Sequence, residues 1–140
     1  MKGETAMQTA LTTRIVVFFS ALSILFTGCA TLKDAQAARG SGMKQIYSHP
    51  VDVVWAKTTQ AITSLGPTVV SENKAEGSIL AETTMSAFSA GEKIAVFIKK
   101  IDESKTEVEV ISKKAIATNV FAYNWEKRVH DRLAELLALK

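Results

Sequence analysis

Residues 44–140 predict an α+β domain: an antiparallel sheet of about five strands with two helices packed on one face, in the order β-α-β-β-β-β-α, preceded by a signal peptide. Three observations carry this. One stretch has a clean helical apolar stripe, two stretches read as β-hairpins, and the C-terminal stretch is a second amphipathic helix.

The domain enters through "KQIYS", a short strand candidate. The next stretch places Val51, Val54, Trp55, Thr58, Ala61, Ile62 and Leu65 at offsets 0, 3, 4, 7, 10, 11 and 14, which is one face of a helix. Ser48 or His49 is the expected cap, and Pro50 suits the first turn, where a missing N–H costs nothing. Gly66-Pro67 is a stop signal. Strands "TVVSEN" and "GSILAETT" are joined through Lys74-Ala75-Glu76, and "EKIAVFIKKI" and "TEVEVIS" through residues 102–105. In the last strand Val108 and Val110 alternate with Glu107 and Glu109. A register with Ile98 opposite Val110 sets Lys99 opposite Glu109, uniting apolar neighbours inside and opposite charges outside. The closing helix is expected from Asn119 or Val120 to Leu139, capped by Thr118 or Asn119. Its stripe is Trp125, Val129, Leu133, Leu136 and Leu137, with Lys127, Arg128, Asp131, Arg132 and Glu135 on the wet side.

Composition narrows the function classes. The chain has 140 residues, one domain's worth, with 17 basic and 14 acidic side chains and a net charge of +3. That balance lacks the concentrated basic face of a nucleic-acid binder. The doublets Lys99-Lys100 and Lys113-Lys114 read as solvated positions, with weak attraction to anionic headgroups as the alternative. His49 and His130 stand far apart, whereas a metal site wants three or four clustered donors, so no metal and no cofactor are expected.

The first thirty residues read as an address. Met1–Arg14 is polar and carries Lys2 and Arg14. Ile15–Phe26 follows, apolar but for two serines. As a helix this run spans about 18 Å, well short of the roughly 30 Å hydrocarbon core. It suits the apolar region of an export signal behind a positive leader. Phe26-Thr27-Gly28-Cys29 comes next, with Cys29 the single cysteine of the chain.

This tetrad resembles the lipobox of bacterial prolipoproteins. It departs from the commonest form in having Phe26 three residues before the cysteine, where leucine prevails, with Leu25 behind it. The resemblance implies a diacylglycerol thioether on Cys29, cleavage just before it and acylation of the new amino terminus. It also implies, by Ala30 at the sorting position, the outer membrane facing the periplasm. Two alternatives stay open: ordinary cleavage after Ala37 in Ala35-Gln36-Ala37, and an uncleaved anchor. The expected division is a signal peptide over 1–28, a lipidated cysteine with a flexible tether over 29–43, and the α+β domain over 44–140. About fourteen flexible residues would span roughly 20 Å.

Over about Lys44 to Lys140 the domain is similar to a group of small bacterial lipoproteins whose domain has no assigned function. The likeness rests on Tyr47, Pro50, Trp55, Leu65 and Gly66 at the entry, then the antiparallel strands and closing helix. The layout also resembles the helix-grip domains of an outer-membrane assembly lipoprotein, which implies a fold and no activity.

No catalytic motif is present: no Gly-x-Gly-x-x-Gly, Gly-x-Ser-x-Gly, His-Glu-x-x-His or Cys-x-x-Cys. Glu107 and Glu109 share one strand face, so they read as solvated rather than as carboxylates facing across a cleft. His130 and Asp131 are adjacent on a helix and do not face each other. No enzyme is expected. Two candidate partner surfaces remain. One is the outer sheet face, with Phe97 and Ile111 joined by Leu80 and Val70. The other is the connection carrying Met85 and Phe88. The expected function is a membrane-anchored, non-catalytic interaction module docking on an envelope protein. The alternative is a carrier of a lipid or other apolar small molecule, which needs a cavity of roughly 300 Å³ or more.

Overall fold

A computed structural model describes residues 31–84, 91–114 and 123–139. The elements, in order, are α1 (Leu32–Ala37), β1 (Met43–Tyr47), α2 (Val51–Ser64), β2 (Thr68–Asn73), β3 (Ser78–Glu82), β4 (Glu92–Lys100), β5 (Thr106–Lys114) and α3 (Trp125–Ala138). The five strands form one antiparallel sheet in the order β1-β5-β4-β3-β2. The predicted α+β class is the observed one. Helices α2 and α3 lie on one face and pack against each other. The short α1 lies on the other.

The inner layer follows from the two periodicities. Val54, Trp55, Thr58, Ala61 and Ile62 are the buried face of α2. Trp125, Val129, His130, Leu133 and Leu136 are that of α3. They close on Ile79, Ala81, Ile94, Val96, Ile98, Val108 and Val110, the alternate residues of β3, β4 and β5. Thr58, though polar, sits at the core because its hydroxyl donates to the Val54 carbonyl at 2.7 Å. Gly66 ends α2 with a φ of 108°, a backbone state that a side chain disfavours.

Three details differ from expectation. Neither Ser48 nor His49 caps α2; Pro50 holds that position without a side-chain hydrogen bond, and its carbonyl accepts from Val54 N. Helix α3 begins at Trp125, because Asn124 is its cap, with Oδ1 accepting from Lys127 N at 3.0 Å. The expected caps Thr118 and Asn119 lie outside the described residues. The β4–β5 register is shifted by two: Ile98 pairs with Val108 and Lys99 with Glu107, while Val96 meets Val110 and Phe97 meets Glu109. The loop sets this, since Ile101 N donates to Lys105 O and so aligns Lys100 with Thr106. A two-residue shift preserves face parity, so every inward residue stays inward.

A fourth difference concerns the expected tether. From Thr31 onward it is folded. Thr31 and Asp34 form a reciprocal capping box: Asp34 N donates to Thr31 Oγ1 at 3.3 Å and Thr31 N donates to Asp34 Oδ2 at 2.6 Å. These hydrogen bonds hold the exposed Asp34 carboxyl below its ordinary range. Helix α1 then lays Ala35 on the outer sheet face, fully buried.

Leu133 of α3 is fully buried in the inner core. Leu133→Ala is expected to destabilise the fold by about 2–5 kcal/mol, the usual loss for an unfilled leucine site. A urea unfolding midpoint lowered at unchanged slope checks this.

Candidate functional site

The outer sheet face carries what chemistry the described residues bring together. Alternation along β4 and β5 turns Phe97 and Ile111 to this side, as expected, and Leu80 joins them from β3. They are not open to a partner. Phe97 and Ile111 are buried beneath Ala35 and Ala38 of the chain's own N-terminal segment, and Leu80 is half-buried beside them. The candidate partner surface at Phe97, Ile111 and Leu80 is therefore corrected to a second, internal core. Val70 stands apart, exposed at the β-bulge between Val69 and Ser71. Met85 and Phe88 lie outside the described residues, as do Phe26, Thr27, Gly28 and Cys29.

The segment is held by a carboxylate. Glu109 Oε1 accepts from Gly40 N at 2.7 Å and from Gly42 N at 2.8 Å. Glu109 is consequently buried, which corrects its reading as a solvated residue of the strand face. Two amide donors on one charged oxygen satisfy it well enough to leave water. Gly42 is required by closeness: a Cβ there would overlap the Val110 carbonyl oxygen and the Ile111 side chain. Arg39, between α1 and the clamp, lies over the Phe97 ring at 4.6 Å from its centroid.

Next to the clamp is a half-open groove of ≈ 350 Å³, lined by Arg39, Gly40, Lys44, Phe97, Lys99, Glu107 and Glu109. Register explains the convergence. Lys44 of β1 lies opposite Glu109, Lys99 of β4 lies opposite Glu107, and all four face outward. The lining holds three cations and two carboxylates, one of them engaged with backbone amides. It offers no thiol, hydroxyl or imidazole, so its chemistry is charge recognition. Among the described residues no group of three or more His, Cys, Asp or Glu is placed to hold a metal ion.

A second polar cluster lies inside the fold. His130 Nε2 is 3.0 Å from the Met43 carbonyl oxygen, and Nδ1 is 2.8 Å from the Tyr47 hydroxyl. The carbonyl can only accept, so the neutral ring carries its proton on Nε2 and accepts from Tyr47 on Nδ1. His130 is fully buried. Burial pushes its pKa down, against opposing pulls from the Met43 hydrogen bond and the charges of Asp131 and Glu126. Burial, with a smaller contribution from Asp131, pushes the Tyr47 phenol up to about 12, so it remains a donor. This pair staples the edge strand β1 to α3. His130 flanks the stripe of α3, next to Val129 and three residues before Leu133, and that position was the available sequence signal.

No protein-family model matches the chain, and a search of curated proteins returns no match.

Two outcomes are expected. Glu109→Ala leaves two amides without their acceptor, a loss of about 1.5–3 kcal/mol for hydrogen bonds to a charged group. Brief trypsin treatment should then cut after Arg39 in the variant while sparing that bond in the parent protein. The second concerns pH. The folded pKa of His130 lies below its unfolded value, so between the two only the unfolded chain binds the proton. Stability from this site is complete above the ordinary value of 6.5 and falls as pH drops below it. The slope is at most about 1.4 kcal/mol per pH unit. Glu92, whose carboxyl burial pushes upward, acts with the opposite sign, so the difference between the parent protein and His130→Gln isolates the histidine. Urea titrations from neutral to mildly acidic pH should show that difference shrinking as pH falls.

Proposed function

We propose that the chain is a lipid-anchored protein of the bacterial cell envelope whose folded domain works as a non-catalytic interaction module on the membrane surface. The observation that carries this reading is the sequence Ile15–Phe26 running into Phe26-Thr27-Gly28-Cys29. Acyl chains on Cys29 supply the membrane hold: each buried CH₂ contributes about 0.8 kcal/mol, and stable anchoring takes more than one chain.

The folded N-terminal segment lends support. Thr31 caps α1 and is two residues from Cys29 in the sequence, which keeps an anchor on Cys29 close to the domain. Cleavage after Ala37 would instead remove α1, whose Ala35 covers the outer core, and strip part of the cover from Phe97 and Ile111. Among the described residues no helix is long and apolar enough to cross a membrane.

The carrier reading is less favoured. The space between helices and sheet is occupied by Trp55, Ile62, Trp125, Leu133 and Leu136. The outer groove is large enough for a small ligand, but its lining is charged rather than apolar.

The test is the intact mass of the mature protein extracted from membranes, beside Cys29→Ser. A chain starting at Cys29 and carrying acyl mass, absent in the variant, is expected. A chain starting at Ala38, or an unmodified one starting at Met1 or Met7, would overturn the reading.

A further inference from the structure

We infer that the outer sheet face is the membrane-facing side of the domain, and that Arg39, Lys44 and Lys99 of its groove engage the phosphates of anionic lipid headgroups. This rests on the anchoring at Cys29 proposed above.

Chain length holds the domain close to its anchor. Thr31 caps α1, and the two residues from Cys29 to it reach at most about 7 Å. That is shorter than the Debye length of about 8 Å at physiological salt. An anchor there leaves no tether for the domain to stand off the bilayer. Helix α1 is one short element, about 9 Å long by its rise per residue, and it lies on the outer sheet face. Arg39 follows directly, and the groove with Lys44 and Lys99 lies beside it. The clamp of Glu109 on Gly40 and Gly42 fixes this segment to the sheet. The face nearest the anchor is thus set by the fold, while α2 and α3 stand on the far side.

Charge is complementary to that placement. In the groove three cations meet two carboxylates, and Glu109 is already satisfied by backbone amides. Arg39 lies over Phe97, which holds a planar guanidinium near the surface. Exposed Ile46 is on the same side, opposite Glu107, where it can enter the headgroup layer.

The test uses the mature protein purified from membranes and reconstituted into vesicles of phosphatidylcholine and phosphatidylglycerol with a headgroup spin label. A single fluorophore is placed through Ile46→Cys on the outer face or Gln60→Cys on exposed α2. The label at 46 should be quenched several-fold more than that at 60. The bound-face preference should fall about fivefold for each of Arg39, Lys44 and Lys99 changed to Ala. With the side chains unchanged, vesicles of phosphatidylcholine alone or raised salt should weaken the preference in the same direction. Anchored protein with equal quenching at the two positions, or with a preference indifferent to lipid charge, overturns the inference and leaves the anchoring intact. Protein that does not stay with the vesicles overturns both.

Discussion

The acceptance of two backbone amides by one carboxylate oxygen of Glu109 decides what the outer half of this molecule is. Without it, residues 38–42 would be a glycine-containing loop beside the sheet, and α1 would be six residues held by its capping box and the packing of Ala35 alone. Isolated helices of that length are far below the limit of stability in water. With it, the loop is pinned at Gly40 and Gly42, the helix rests on Phe97 and Ile111, and the centre of the outer sheet face is covered as well as the inner. The price is a buried charge, tolerated because charge-assisted hydrogen bonds meet it at 2.7 and 2.8 Å.

The opposite half follows a simpler logic. Two amphipathic helices close over the alternate residues of the central strands, and burial of aliphatic and indole side chains stabilises the layer. A polar pair within it, Tyr47 with His130, ties β1 into this layer at an edge of the sheet, where strand pairing is one-sided. Edge strand β1 is therefore fixed twice: by its ladder to β5 and by a side-chain staple to α3. The same strand supplies Lys44 to the outer groove, so the interior staple also positions a groove cation.

Where periodicity carries information, the sequence was legible. The 3.6-residue spacing from Val51 to Leu65 located α2, and alternation of Val108 and Val110 oriented β5, so the fold class and inner core could be read directly. Parity could not fix register, because a shift by two leaves every side chain on its face; the five-residue loop 101–105 decided it. Helix α1 is illegible because six residues make too few turns to show a stripe, and the stretch around them resembles a linker in composition. Its one local signal was Thr31 with Asp34 three residues later. Sequence alone makes Glu109 solvated, because strand alternation reports which face a side chain takes, not what covers that face. The groove was illegible for the same reason: its members come from β1, β4, β5 and the turn after α1.

The most direct test of the account is amide hydrogen exchange at Gly40 and Gly42 in the mature protein. If the segment is clamped as described, both amides exchange far more slowly than in an unstructured chain, and they lose that protection together in Glu109→Ala while β4 and β5 keep theirs. Exchange at the unstructured rate in the parent protein would contradict the account. The residues after Cys29 would then be a free tether, and the outer face of the sheet would be open.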